Sequence, residues 1–144
     1  DHIYPLLRSQ ASRRKIIVIN IDAHADTRTD EEPHSGTPFR QFAREFRGDF
    51  RLYQVGLHPF ANSFSTLTPL AKGHSQILWR QDLRDESKVT QFFMQIKKEV
   101  DKNTLVIFSL DADAMSGDIV PGVSAVNGDG LSLNELNLLW SKYR

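Results

Sequence analysis

The sequence contains no cysteine, and this absence narrows the chemistry that the protein can perform. Without thiols the chain has neither a disulfide framework nor a metal site built on thiolate ligands. A bound metal would have to use imidazole and carboxylate groups. Five histidines and 18 acidic residues are available to supply them.

The sequence also has no net charge and no long apolar run. Its 18 basic and 18 acidic side chains cancel, which argues against nucleic acid or an anionic membrane as the main partner. No apolar stretch approaches the roughly 20 residues that cross a bilayer, and no secretory signal pattern opens the chain. We therefore expect a cytoplasmic protein that binds neither nucleic acid nor membrane.

Short β-branched runs mark the expected strands. The runs at 16–21 and 105–110 are continuously apolar, which is typical of strands buried on both faces, as in a parallel sheet covered by helices. Weaker strand patterns lie at 51–56 and 75–79. The length suits one domain over residues 1–144.

Helical spacing of apolar residues separates these runs, at residues 38–47, 86–101 and 132–143. Asp85 is placed to cap the second helix. Ser132, followed three residues later by Glu135, forms a capping box for the third. The alternation of strands and helices predicts a layered α/β fold.

Acidic clusters follow both strong strands. Asp22, His24 and Asp26 follow the first, and Asp111 and Asp113 follow the second. Ligand sites in open α/β sheets lie outside the carboxyl ends of the strands. If the chain stays extended, alternate residues point to the same side. We therefore expect the side chains of each cluster to converge.

Such clusters favour a metal site over isolated turns or caps. Carboxylates brought within a few Å of one another repel, and the pKa of each is raised. A divalent cation removes that repulsion, and mixed carboxylate and imidazole ligands suit Mn²⁺, Zn²⁺ or Fe²⁺. Four aspartates and a histidine exceed what one tetrahedral ion uses, so we infer two ions that share carboxylates. Such a pair makes hydroxide available at neutral pH.

These residues resemble the signatures of the ureohydrolases, the superfamily of arginase and agmatinase. The segment Ile21-Asp22-Ala23-His24-Ala25-Asp26 is similar to the family's Asp-Ala-His-x-Asp motif. Ser109-Leu110-Asp111-Ala112-Asp113 resembles its Ser-x-Asp-x-Asp motif. Asp1-His2 resembles the end of its Gly-Gly-Asp-His motif. The three matches occur in the family's order and span nearly the whole chain.

The resemblance implies a three-layer α/β/α sandwich with a mainly parallel sheet, and a hydrolase with two Mn²⁺ per chain. One ion would be held by His2, Asp22, Asp26 and Asp111. The other would be held by Asp22, His24, Asp111 and Asp113. Asp22 and Asp111 would bridge the pair. As catalytic residues, Asp26 or Asp113 would also orient the hydroxide that attacks an amidine or guanidine carbon.

Two further segments resemble one branch of the family, the formimidoylglutamases. The stretch from Ser35 to Gln41 is similar to their Ser-Gly-Thr-Pro-Phe-Arg-Gln, and Pro121-Gly122-Val123-Ser124-Ala125 to their Pro-Gly-Val-Ser-Ala. The acid that arginases place near Ala61 is missing. This branch hydrolyses N-formimidoyl-L-glutamate to L-glutamate and formamide, a step of histidine degradation.

That substrate carries two carboxylates, for which guanidinium is the favoured bidentate partner. Arg28 and Arg40 are the candidate substrate ligands, and Ser35 could add a hydroxyl or backbone donor. The alternatives are ordinary surface arginines and a plain turn before the helix at Pro38. The small amidino or guanidino acid is the expected partner.

Other interpretations stay open. The chain could hydrolyse another family substrate, as agmatinase, arginase or a guanidino-acid hydrolase does, or it could be a non-catalytic relative. A nucleotide-sugar transferase with one metal at Asp111 and Asp113 would leave the first acidic cluster unexplained. His34, His58 and His74 are expected in loops, and His58 is the one placed to approach substrate. The ends of the sequence suggest the central part of a longer chain, and the resemblance implies a homo-oligomer.

Overall fold

Four parallel strands form the central sheet. The computed structural model describes residues 3–68, 70 and 74–144, and at 74 and 75 the backbone alone. The strands are β1 (Lys15–Ile21), β2 (Asp49–Leu57), β3 (His74–Trp79) and β4 (Thr104–Leu110). Their order across the sheet is β3-β2-β1-β4. All three pairings within the described ranges are parallel, as the buried apolar runs predicted.

Helices cover both faces of the sheet. Helices α1 (Ile3–Ser9) and α2 (Pro38–Glu45) pack on one face, and α3 (Glu86–Glu99) and α4 (Leu133–Tyr143) on the other. The predicted three-layer α/β/α architecture is confirmed. Short 3₁₀ turns follow three of the strands, at Pro59–Ala61, Arg80–Arg84 and Ala112–Ala114.

Strand β1 supplies the centre of both hydrophobic cores. Ile16 and Val18 face α1 and α2, whereas Ile17 and Ile19 face α3 and α4, and all four are fully buried. Alternate residues of a strand point to opposite faces, so a strand that is apolar throughout joins two cores. This arrangement fixes the carboxyl end of β1 firmly within the sheet.

Strand β4 differs from the expectation of burial on both faces. Residues from Thr104 to Ser109 are half-buried, and Leu110 is 49% exposed. The reason is its position, since β4 pairs with β1 and, among the described residues, has no strand on its other side. The apolar composition of a strand shows that it can be buried, whereas its position in the sheet decides how much of its surface is buried.

The predicted helix starts are present. Asp85 Oδ1 accepts hydrogen bonds from the backbone N–H groups of Ser87 at 2.9 Å and Lys88 at 3.3 Å. The capping box of Ser132 and Glu135 opens α4. Helix α1 was not predicted, because a helix of seven residues has little room for apolar periodicity. None of the helices described has the length and apolar content needed to cross a bilayer.

Candidate metal centre

Two acidic loops leave the sheet side by side. The β1 loop (residues 22–26) and the β4 loop (residues 111–113) follow strands that pair with Ile21 opposite Leu110. The first residue of each loop continues the sheet pattern: the Asp111 N–H donates to the Ile21 carbonyl at 2.9 Å, and the Asp22 N–H to the Val55 carbonyl at 3.0 Å. The shared carboxyl edge of the sheet therefore brings the loops together.

Three side chains of these loops converge. One ligand atom from each of Asp22, His24 and Asp113 lies within 4.8 Å of the others. The Nδ1 atom of His24 is 3.2 Å from Asp113 Oδ2 and 3.8 Å from Asp22 Oδ1. Asp22 and Asp113 are buried, and His24 is partly exposed towards the cleft described below. This trio joins both strand ends in one cluster.

Convergence arises from turns rather than from the extended chain that the sequence pattern assumed. Asp22 Oδ1 accepts from the N–H of His24 at 2.7 Å, and Asp111 Oδ1 accepts from the N–H of Asp113 at 3.1 Å. Each leading aspartate thus caps its own loop, a favoured role for aspartate. Asp26 adopts a left-handed backbone with φ of 51°, and its carbonyl accepts from the N–H of Phe39 in helix α2 at 3.3 Å.

Burial and mutual repulsion perturb the carboxyl groups. Burial, with Asp26 as the next cause, raises the pKa of Asp22 to about 8. Burial, with Asp111 as the next cause, raises the pKa of Asp26 to about 7. The hydrogen bond with Asp113 raises the pKa of His24. The site therefore favours added positive charge, whether protons or a cation.

The donor set fits a divalent ion. Asp113 Oδ1 is buried and has no hydrogen-bond partner in the described part of the chain. A buried carboxylate oxygen without a donor is costly unless another group satisfies it. Carboxylate oxygens and an imidazole nitrogen are ligands that manganese, iron and zinc accept. The residues present therefore fit a metal of the kind predicted.

The other predicted ligands lie around this trio or outside the described residues. Asp111 is exposed, and both Asp111 and Asp26 line the same cleft as the trio. Neither belongs to the group of three within 4.8 Å. The predicted ligand His2 falls outside the described residues.

The acidic loops form the floor of a cleft of about 890 Å³. The lining includes Arg28, Ser35 and Gly36 from the segment before α2, and Val123, Ser124 and Ala125 from the segment after β4. Residues 60–63 complete the lining together with Thr29, Asp30, Ser65 and Thr66. Each of the two segments singled out by motif, 35–41 and 121–125, thus contributes some of its residues to the cleft. Its size suits a small molecule.

The predicted substrate ligands occupy different positions. Arg28 is exposed and lines the cleft, as does Ser35. Arg40 is buried: its guanidinium donates to the carbonyls of Thr27 at 2.6 Å and Thr68 at 2.7 Å. Arg40 is not among the cleft-lining residues of the described ranges. Arg40 therefore connects the loop at Thr27 with the loop at Thr68. Its role as a substrate ligand stays a prediction.

Buried amides that the sequence analysis did not select support the β1 loop. Asn20 Nδ2 donates to Asp22 Oδ2 at 3.2 Å and to Gln54 Oε1 at 3.1 Å. Gln54 Nε2 donates to the carbonyl of Ala25 at 2.6 Å. Asn62 accepts from the N–H of Ala25 at 2.8 Å. A polar residue inside a buried strand, as at positions 20 and 54, was the signal that could have identified them.

The remaining histidines have varied surroundings. His34 lies in a turn where its Nδ1 accepts from the N–H of Gly36 at 3.0 Å and its Nε2 is 3.3 Å from Asp30. His58 is buried next to the β1 loop, and burial lowers its pKa. The side chain of His74 is outside the described residues.

The loop that follows β4 is held by a buried arginine. Arg80 donates to the carbonyls of Asp129 at 2.7 Å and Gly130 at 3.1 Å, and to Glu135 at 2.8 Å. Gly130 has to be glycine, because a Cβ there would lie 2.3 Å from the Met115 backbone. These contacts fix the glycine-rich segment against the start of α4.

Comparisons with known proteins agree with this architecture. The profile of the arginase family matches residues 1–143. Formimidoylglutamase of Photorhabdus laumondii is 31% identical over 128 residues, which cover 85% of this chain and 39% of that protein. The Streptococcus pyogenes formimidoylglutamase is 31% identical over 141 residues, covering 92% and 42%. The chain thus spans about two fifths of the length of the curated relatives it matches.

Two solved structures share the fold. Formimidoylglutamase from Bacillus subtilis superposes with a TM-score of 0.77 at 26% identity, covering 92% of this chain and 43% of that chain. A variant of formiminoglutamase from Trypanosoma cruzi, solved with Mn²⁺, gives a TM-score of 0.73 at 28% identity, covering 94% and 47%.

Proposed function

This chain belongs to the arginase family, and from that premise we propose that it carries the metal centre of a binuclear manganese hydrolase that cleaves the C–N bond of a linear amidine. The observation that carries the proposal is the meeting of Asp22, His24 and Asp113 at adjacent strand ends. A buried oxygen of Asp113 left without a donor supports a cation there. We also propose that residues 1–144 form one arginase-like domain unit within a longer chain.

The proposed ligands are those given by the family motifs. One ion would use His2, Asp22, Asp26 and Asp111, and the other Asp22, His24, Asp111 and Asp113. When bound, two divalent ions supply Lewis acidity and lower the pKa of water. Mn²⁺ is the proposed metal because a similar structure is described with it, and the donor set suits it.

The chain's own residues would place the water and the substrate. Asp26, which lines the cleft next to the trio, would orient the attacking water in addition to its proposed role as a ligand. Asp113, at the end of the neighbouring strand, is the alternative residue for this orienting role. Arg28 and Ser35, on the cleft wall, would bind a carboxylate of the substrate.

The proposed substrate is N-formimidoyl-L-glutamate. Water adds to the amidine carbon, the bond from that carbon to the glutamate nitrogen breaks, and this nitrogen takes up a proton, which yields L-glutamate and formamide. Three observations support this choice over a cationic substrate. Two similar proteins have this activity by name. The motifs at 35–41 and 121–125 each contribute residues to the cleft, and the cleft residue Arg28 is exposed.

The test combines metal analysis with a substrate panel. After loading with Mn²⁺ and desalting, we expect two ions per chain by mass spectrometry and formamide release from formimidoylglutamate. Arginine, agmatine and guanidinobutyrate serve as competitors in the panel. Asp22→Asn should abolish turnover and metal retention. Glu32→Gln, an exposed acid in the loop before α2, is the matched control and should retain both.

Two results would contradict the proposal. Full turnover by Asp22→Asn would show that the reaction does not depend on the proposed metal centre. Preference for agmatine or arginine would keep the family activity but overturn the assignment of Arg28 to a substrate carboxylate. The homo-oligomeric state and cytoplasmic location stay predictions.

A further inference from the structure

A buried histidine lies between the two acidic loops and has no part in the proposed reaction. His58 follows β2 and is 3% exposed. The backbone N–H of His58 donates to the carbonyl of Ala23 at 3.1 Å, and the backbone carbonyl of His58 accepts from Asn62 Nδ2 at 2.9 Å. Its ring Nε2 lies 3.1 Å from Asn127 Nδ2. The residue thus contacts the β1 loop through its backbone and the segment after the β4 loop through its ring.

The orientation of the Asn127 amide is fixed by its other neighbours. Its Nδ2 donates to the carbonyl of Asp113 at 3.0 Å, and its Oδ1 accepts from the N–H of Asp129 at 3.1 Å. A carbonyl needs a donor and an N–H needs an acceptor, so the amide cannot be reversed. The group facing His58 is therefore an N–H donor, and His58 Nε2 has to be the unprotonated ring nitrogen.

Asn62 completes the connection on the side of the β1 loop. Its Oδ1 accepts from the N–H of Ala25 at 2.8 Å, and its Nδ2 donates to the carbonyl of Ala23 at 2.9 Å. These two bonds hold the backbone on both sides of His24. Through the carbonyl of His58, the same amide joins the histidine to this loop.

We infer that His58, Asn62 and Asn127 are positioning residues, and that this amide–histidine bridge fixes the β1 loop relative to the β4 loop. One end of the bridge holds the backbone around His24, and the other holds the carbonyl of Asp113. The bridge thus sets the distance between an imidazole and a carboxylate that come from different strands. Its consequence for metal binding rests on the proposed function.

The first test measures Mn²⁺ affinity by calorimetric titration. Groups that orient metal ligands typically change affinity about 10- to 100-fold when replaced, so we expect a loss of that size for His58→Leu and for Asn127→Ala. The double variant should lose little more than Asn127→Ala alone, because Asn127→Ala already removes the bond to His58 together with the Asn127 bonds to Asp113 and Asp129. His58→Gln, which keeps an acceptor on its side chain, should recover most of the affinity.

A stability control separates positioning from general weakening. Val89→Ala removes packing beneath helix α3, where Val89 is fully buried and contacts neither acidic loop by hydrogen bond. We expect its melting temperature to fall while its Mn²⁺ affinity stays at the wild-type value. Equal loss of affinity in Val89→Ala and Asn127→Ala would overturn the inference, as would wild-type affinity in both His58→Leu and Asn127→Ala.

A second test needs no metal. In the metal-free protein, nitrogen NMR should show the His58 proton on Nδ1, and Asn127→Ala should speed amide exchange at His24 and Ala25, across the bridge from the substitution. A proton on Nε2 of His58 would contradict the bridge, and so would faster amide exchange in Asn127→Ala that is confined to the β4 loop. Absence of Mn²⁺ binding by the wild-type protein, with the exchange result as expected, would instead refute the proposed function.

Discussion

Raising the pH of the metal-free protein from about 5 to about 8 should lower its free energy of unfolding. The cause is Asp22, whose pKa burial and Asp26 raise from 3.8 to about 8. A carboxyl group with a folded-state pKa above its unfolded value binds its proton more tightly in the folded protein. Its stabilising contribution is therefore complete below the unfolded pKa and is lost as the pH rises through the folded pKa.

The size of the effect follows from the shift. At 1.36 kcal/mol per pH unit, Asp22 can change the free energy of unfolding by at most about 4 kcal/mol between pH about 5 and about 8, because the remaining part of its shift acts below this range. Asp26, whose pKa burial and Asp111 raise to about 7, acts in the same direction. Because a whole domain is stable by only about 5–15 kcal/mol, a loss of this order is readily measured.

The assay is urea unfolding with a chelator at several pH values between about 5 and 8, repeated with excess Mn²⁺. Mn²⁺ at a fixed concentration, about 100 times its dissociation constant at pH about 8, should restore about 2.7 kcal/mol at that pH. The same concentration should restore less at lower pH, where protons compete for the ligands. Asp22→Asn should flatten the pH dependence and remove most of the Mn²⁺ effect. Glu32→Gln should change neither.

An unfolding free energy of the metal-free protein that is constant or rises over this pH range would contradict the prediction. A wild-type slope in Asp22→Asn would also contradict it, because the titrating group would then lie elsewhere.

Three further outcomes are expected. Arg28→Ala should raise KM for the dicarboxylate substrate about tenfold, or about 1.4 kcal/mol, at nearly constant kcat in steady-state assays; unchanged KM would place the substrate carboxylate elsewhere. Arg80→Met should lower the unfolding free energy on the order of 3 kcal/mol, because Glu135 and two carbonyls lose their donor; urea unfolding measures this, and wild-type stability would contradict it. Ile17→Ala should lower the same quantity by about 2–5 kcal/mol, since Ile17 is fully buried in β1; a loss under about 1 kcal/mol would show a poorly packed core.

Elements with strong local signals were predicted from the sequence. The continuous apolar run of β1, the cap at Asp85 and the capping box at Ser132 each specify structure within a few residues. Helix α1 lacks such a signal, and its formation follows from packing Leu7 against the sheet. The half-burial of β4 was not predictable, because the position of a strand in a sheet is decided by partners far along the chain.

The candidate site also contains residues that the sequence predicted and residues that it did not. Aspartates after parallel strands were found by position, because strand ends of one sheet share an edge. The turns that bring Asp22 close to Asp113 were not foreseen, since an extended chain was assumed. Asn62 and Asn127 were missed because the partners of a buried amide are backbone groups of distant loops, for which no local spacing exists.

The left-handed backbone of Asp26 affects how this position can be studied. Aspartate, asparagine and glycine adopt such a conformation readily, whereas alanine and larger residues incur strain of about 1–3 kcal/mol. Alanine scanning at this site would therefore confuse a distorted chain with lost chemistry. Asparagine separates the two, because it removes the charge of the side chain and leaves the path of the backbone intact.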